Sequence, residues 1–313
     1  MAVALLTDSD RFPFDDDDRA TLALAGVELR ELPGHEPGRL VEAGRDADVI
    51  FIYYGKFTRD VIEQLDGCRV LARCGTGYDN IDVAAARARG IEVVYVPDYG
   101  IDDVSDHALA LLLACARKIA LADRAVRRGE WPHYARLAPL RRLQGQTLGF
   151  LGYGRIARAL ARKARPLGLR LIAHDPYVGE ADVELVARDE LFARADIVSI
   201  HVPLSDETRG TVGKREFRLM KPNSVVINTS RGAVVEEQAL AKALSDGVLA
   251  AAGIDVFETQ PLPSDHPLRG CETAVFTPHS AAHTEESLAE VRKRPLADAL
   301  RVLRGEAPLH PVP

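Results

Sequence analysis

The stretch TLGFLGYGRIARALARKA, residues 147–164, constrains this chain more than any other. A short apolar run ends at Gly152, a second glycine follows at Gly154, and Ala157 sits inside a helix-like series. In that order the first glycine permits a tight strand-to-helix turn and the second lets the backbone approach a pyrophosphate. The small third residue lets helix and strand pack closely. The helix start then offers unpaired N–H groups and the positive end of its dipole. Glycine turns also arise for structural reasons alone. Asp175 adds the second half of a pattern, standing 23 residues after Gly152 at the end of LRLIAHD. A carboxylate there accepts from both hydroxyls of an adenosine ribose and repels a 2′-phosphate, although it also suits a simple helix cap. The turn, strand and carboxylate in register predict NAD, not NADP, as cofactor.

Around this turn, short β-branched runs alternate with helical patterns. VALLT (3–7), VELREL (27–32), DVIFIY (48–53), RVLAR (69–73) and IEVVYV (91–96) form a first strand series. TLGFLG (147–152), LRLIAHD (169–175), DIVSIHV (196–202), SVVINTS (224–230), LAAAGIDV (249–256) and TAVFTP (273–278) form a second. Apolar strands alternating with helices predict α/β architecture, with parallel sheets covered on both faces. The longest helical pattern runs from Asp102 to about Arg128, just after the Pro/Gly punctuation VPDYG. The tail EESLAEVRKRPLADALRVLRG (285–305) reads as a helix that Pro295 kinks or interrupts, and with no strand to follow it is free to return to the first domain. The acidic run Asp15–Asp18 reads as a solvated helix start, not a metal site.

With 313 residues the chain is long enough for two domains. A net charge of −6 gives no electrostatic footprint for nucleic acid or an anionic membrane. Four cysteines without CxxC spacing suit a reducing cytoplasm. The start lacks the basic region of a signal peptide, and ALALLLACA (108–116) falls far short of a membrane span.

Three further stretches, CGTGYDNID (74–82), INTSRGAVV (227–235) and TPHSA (277–281), complete a pattern with LGYGRIA and HDPY. Together they resemble the D-isomer-specific 2-hydroxyacid dehydrogenase family. VPDYGIDDVSDHALALLLACAR and TPHSAAHTEESLAEVRKR are most similar to the branch containing the C-terminal-binding proteins. The resemblance implies two doubly wound domains with the active site in an interdomain cleft. A flavodoxin-like substrate domain would comprise 1–99 plus 285–313, and a Rossmann NAD-binding domain 100–284. It implies that Arg231 holds a small anionic 2-oxo acid, as a guanidinium fork suits a planar anion. Backbone N–H groups of Thr76 and Gly77 would take the other carboxylate oxygens, while Tyr53 either lines the substrate pocket or packs in the core. His279 would be the general acid/base. Asp255 would bond the nicotinamide carboxamide, and Arg155, Ile156, Thr229, Ser230 and His201 would line the cofactor cleft, His201 being equally readable as a polar strand end. The long helix would help form a homodimer. The spacing His279-x3-His283 lacks a glutamate between its histidines and a third ligand, so it is not read as zinc.

One position departs from the family pattern. The glutamate expected 29 residues after Arg231 and 19 before His279 is Gln260. An amide orients an imidazole without stabilising its cation, so a lower His279 pKa is expected than in relatives with glutamate. The glutamine is open to three readings: a natural residue suited to oxidation or to a reaction needing no proton transfer, an engineered inactivating change, or the mark of an NAD(H)-sensing protein with weak turnover. Formate dehydrogenases of this superfamily carry a Gln–His pair at the same spacing, yet the asparagine they place before the long helix is Gly100 here. Ala282-His283 stands where the nearest branch carries an aromatic pair, which reshapes the expected substrate pocket.

Overall fold

The computed structural model describes residues 1–313. The chain divides into two compact units, Met1–Tyr99 with Thr284–Pro313, and Gly100–His283. In both units an apolar strand is followed by a helix, which returns the chain so that the next strand runs parallel.

The first unit holds strands β1 (Ala2–Thr7), β2 (Val27–Leu32), β3 (Val49–Ile52), β4 (Val70–Arg73) and β5 (Glu92–Val94). Their order is β2-β1-β3-β4-β5, all parallel, the flavodoxin-like arrangement. Side chains alternate between two cores: Ile50 and Ile52 enter one, Val49 and Phe51 the other. Each such burial stabilises the fold by about 1.5–3 kcal/mol. The tail helix Glu285–Leu303 adds Val291, Leu296 and Ala299 to the second core. It runs through Pro295 without interruption. Arg292 on this helix bridges Asp15 at 2.8 Å and Asp18 at 2.9 Å. The acidic run is therefore not simply solvated: Asp15 and Asp18 form a capping box, and Asp18 is buried under the tail helix. Beyond the helix the chain pairs antiparallel with β5, through Tyr95 N–H to the His310 carbonyl and Val312 N–H to the Val93 carbonyl. That pairing covers an otherwise open sheet edge.

The second unit holds β6 (Thr147–Leu151), β7 (Arg170–His174), β8 (Glu184–Leu185), β9 (Ile197–Ile200), β10 (Ser224–Asn228), β11 (Leu249–Ile254) and β12 (Ala274–Phe276). The order β12-β11-β10-β9-β6-β7-β8 is parallel throughout. It is the dinucleotide-binding arrangement, reversing direction between β6 and β9. The two-residue β8 has no counterpart among the expected strands. The pattern from Asp102 to Arg128 is two helices, Ile101–Ala116 and Ile119–Arg127, because Lys118 takes a left-handed φ of 51°. The first packs very closely on β11: a Cβ at Gly253 would lie 2.9 Å from Leu111 Cβ. No helix is long and apolar enough to cross a membrane.

Candidate active site

Every functional residue expected in the second unit lies at a carboxyl end of a strand, where open α/β sheets bind ligands. After β6, Gly152 has φ 86°, and a Cβ there would stand 2.9 Å from the His201 carbonyl carbon. Glycine is thus required twice over, by conformation and by the close approach of the chain leaving β9. Gly154 opens the helix Arg155–Ala164 in extended conformation with no side-chain cap, and nothing lies within 4 Å of where its Cβ would be. Ile156 is half-buried and Ala157 fully buried beside this exposed backbone. Asp175 is fixed against the turn: Oδ2 accepts from Tyr153 N–H at 2.8 Å and Oδ1 from Tyr177 N–H at 2.9 Å. Each oxygen keeps a lone pair for a ribose hydroxyl. His201 pairs its Nε2 with Ser199 Oγ at 2.8 Å, and burial pushes its pKa down to about 4, so the ring is neutral. At the end of β10, Thr229 Oγ1 is buried without a protein partner. Open backbone, a bare helix N-terminus, a fixed carboxylate and an orphaned hydroxyl fit a dinucleotide.

Arg231 follows in a turn built by Asn228. The Asn228 side chain accepts from Ser230 N–H at 3.0 Å and Ser230 Oγ at 2.9 Å, and donates to the Arg231 carbonyl at 3.0 Å. The next residue, Gly232, meets the loop after β11 so closely that a Cβ would lie 2.0 Å from the Phe257 carbonyl carbon. The Arg231 turn and the loop carrying Gln260 are therefore packed backbone to backbone.

In that loop Gln260 Nε2 donates to the Phe257 carbonyl at 3.0 Å, which turns Oε1 toward His279 Nδ1 at 2.9 Å. An amide oxygen only accepts, so Nδ1 of His279 carries the proton that this hydrogen bond uses. His279 itself adopts φ 56°, uncommon for a residue with a side chain. Asp255, fully buried, ties down both flanks of the histidine. Its Oδ1 accepts from Thr277 Oγ1 at 2.6 Å and Ser280 N–H at 2.9 Å, its Oδ2 from Ala281 N–H at 3.1 Å, and its carbonyl from His279 N–H at 2.8 Å. One Oδ2 lone pair remains for a carboxamide. No group of three or more His, Cys, Asp or Glu side chains is placed to hold a metal ion.

In the first unit, the Thr76 and Gly77 N–H groups find no protein acceptor. Arg73 shapes their loop, donating Nε to the Gly77 carbonyl at 2.7 Å and Nη1 to the Ile52 carbonyl at 3.3 Å. Tyr53, read as lining the substrate pocket or packing in the core, is 5% exposed and stacks on Phe12 at 4.4 Å. Asn228, Arg73 and His107, whose imidazole reaches Thr277, were not singled out from sequence. Only Asn228 carried a local signal, an Asx turn after a strand.

Residues 109–281 match the family described as D-isomer specific 2-hydroxyacid dehydrogenase, NAD binding domain. The chain is 39% identical over 313 residues to D-3-phosphoglycerate dehydrogenase of Methanocaldococcus jannaschii, an alignment covering 98% of this chain and 58% of that protein. It is 38% identical over 279 residues to glyoxylate reductase of Korarchaeum cryptofilum, covering 86% of this chain and 83% of the relative. The structure of NAD-dependent formate dehydrogenase from Staphylococcus aureus in complex with NAD superposes with TM-score 0.87 at 28% identity, covering 98% of this chain and 96% of that one. The chain thus spans little more than half the length of the phosphoglycerate dehydrogenase and most of the glyoxylate reductase.

Proposed function

Because this chain belongs to the D-isomer-specific 2-hydroxyacid dehydrogenase family, we propose that it oxidises or reduces a small 2-hydroxy or 2-oxo acid, or an analogous anion such as a phosphonate, with NAD. The second unit is an NAD-binding domain. Bound NAD+ would accept, and bound NADH would give, the hydride exchanged at the carbon bearing the hydroxyl or oxo group. The glycine turn and the helix start at Arg155 hold the pyrophosphate, Asp175 the ribose, and His201, Thr229 and Ser230 line the cofactor. Arg231 binds the substrate anion and its adjacent oxygen, and Thr76 and Gly77 give backbone N–H donors to the remaining oxygens.

The observation that carries the reading is the Gln260 amide held between the Phe257 carbonyl and His279 Nδ1. With Nδ1 donating to Gln260, Nε2 is the ring nitrogen that takes the hydroxyl proton in oxidation. In reduction the same atom must first be protonated, and Gln260 contributes no charge to hold that proton. We therefore read the site as biased toward oxidation at neutral pH. A formate dehydrogenase-like site is disfavoured at Gly100, where a Cβ would already press on Ala282 Cβ at 3.1 Å. The protein is further proposed to be a homodimer of a reducing cytoplasm. Ile119, Val126, Trp131 and Tyr134 are exposed in one run of sequence, and burial pushes the Cys68, Cys74 and Cys115 thiols up to about 12. Sedimentation analysis tests the dimer.

The activity is tested by NADH absorbance with a panel of 2-hydroxy and 2-oxo acids, phosphonate analogues included. Turnover that Arg231→Ala abolishes is the expected result. Tight NADH binding with no turnover on any acid would replace the enzyme by an NAD(H)-sensing regulator.

A further inference from the structure

We infer that His107, from the helix Ile101–Ala116, is a positioning residue for His279, acting through Thr277 and Asp255; the inference rests on the dehydrogenase reading above. The helix reaches this place because β11 has a glycine at 253 under Leu111, and His107 lies one turn before Leu111 on the same face. That step brings its imidazole to the carboxyl end of β12, with Nε2 2.9 Å from Thr277 Oγ1 and 3.6 Å from Asp255 Oδ1.

The direction of these hydrogen bonds follows from proton counting. A carboxylate only accepts, so at 2.6 Å the single Thr277 hydroxyl proton points to Asp255 Oδ1. Toward His107 the hydroxyl oxygen must then accept, and Nε2 of His107 must carry the proton. His107 thereby fixes the Thr277 rotor and keeps Asp255 in one orientation. Asp255 in turn holds Ser280 N–H and Ala281 N–H with its carboxylate and His279 N–H with its carbonyl. A left-handed backbone at a histidine persists only where its surroundings over-determine it, and this chain of bonds supplies that constraint. The other titratable group facing the cluster is His283; partial burial lowers its pKa, Asp255 opposes this and His107 adds to it. Without the Nε2–H donor, the Thr277 hydroxyl is held by Asp255 alone, the Asp255 cradle loosens, and the His279–Gln260 alignment slips.

The test uses the full-length chain in three variants. His107→Leu removes the donor, Thr277→Val removes the link with little change of shape, and His107→Gln returns an N–H donor at similar reach. The first readout is the NMR titration of the His279 ring without and with NADH. The second is kcat, KM and the pH profile on the acid turned over by wild type. His107→Leu and Thr277→Val are expected to move the His279 midpoint alike and to lower kcat about tenfold or more with KM for NADH within about twofold, as a small misalignment of an acid/base would. His107→Gln is expected to restore both. A wild-type midpoint and kcat in His107→Leu and Thr277→Val would overturn the inference. Loss of the folded state in Thr277→Val and His107→Gln, seen by circular dichroism, would overturn it too, making the cluster a determinant of folding. Should wild type turn over no acid, the dehydrogenase reading fails, and the His279 titration still decides the role of His107.

Discussion

Gln260 is held at both ends of its amide, and a carboxylate in its place would set two acceptors, its own oxygen and the Phe257 carbonyl, against each other. The surroundings are thus complementary to glutamine. Gln260→Glu is expected to raise the acidic-limb pKa of kcat/KM by about 1 unit, because a nearby carboxylate favours the imidazolium. A pH–rate profile in which that limb stays put would refute the account. The pairing with His279 is legible in the spacing of the chain; the direction of the amide is not, since it depends on a carbonyl three residues away whose orientation only the folded loop sets. His201 gives a second test at this scale. Folding keeps its ring neutral down to about pH 4, whereas the unfolded chain binds a proton near 6.5. Between those values the unfolded state holds more protons, so stability rises with pH and is lost as pH falls through the window. Urea midpoints measured at either end should differ less in His201→Gln than in wild type.

The glycine turn after β6 is where one element decides the use of another. Gly152→Ala places a methyl group against the chain leaving β9 at a positive φ. It should cost about 1–3 kcal/mol of stability and weaken NADH binding at least tenfold, as read by fluorescence titration. Wild-type affinity in a folded Gly152→Ala protein would remove the turn from the cofactor site. Strands such as Val27–Leu32 and the turn itself are legible because period, glycine and burial agree locally. The break at Lys118 is not, since the apolar face continues on both sides and only the left-handed residue divides it. Nor is the contact of His107 with Thr277, which joins residues 170 positions apart across two elements. Arg73 escapes for a related reason: it reads as a strand end, and its work is done on the carbonyls of the loop that follows.

Taken whole, the molecule has one continuous unit, Gly100–His283, flanked by the two segments of the other. Removing residues 284–313 strips Val291, Leu296 and Ala299 from the core of the first unit and uncovers β5. Hydrogen exchange should then show lost protection in β1–β5 with β6–β12 still protected; equal loss in both sheets would mean the units do not fold separately. The tail's return is only permitted by the sequence pattern, while Arg292 meeting Asp15 and Asp18 shows what receives it.

The same tail helix bears on how the chain is born. A ribosome releases β1–β5 before residues 100–283, yet their second core is complete only when residues 284–313 emerge after that unit has been made. At about 5–20 residues per second, that leaves the amino-terminal sheet half-covered for on the order of ten seconds or more. The cofactor-binding unit, encoded without interruption, finishes before the split one, and the sheet made ahead of it is the one most in need of a chaperone's protection.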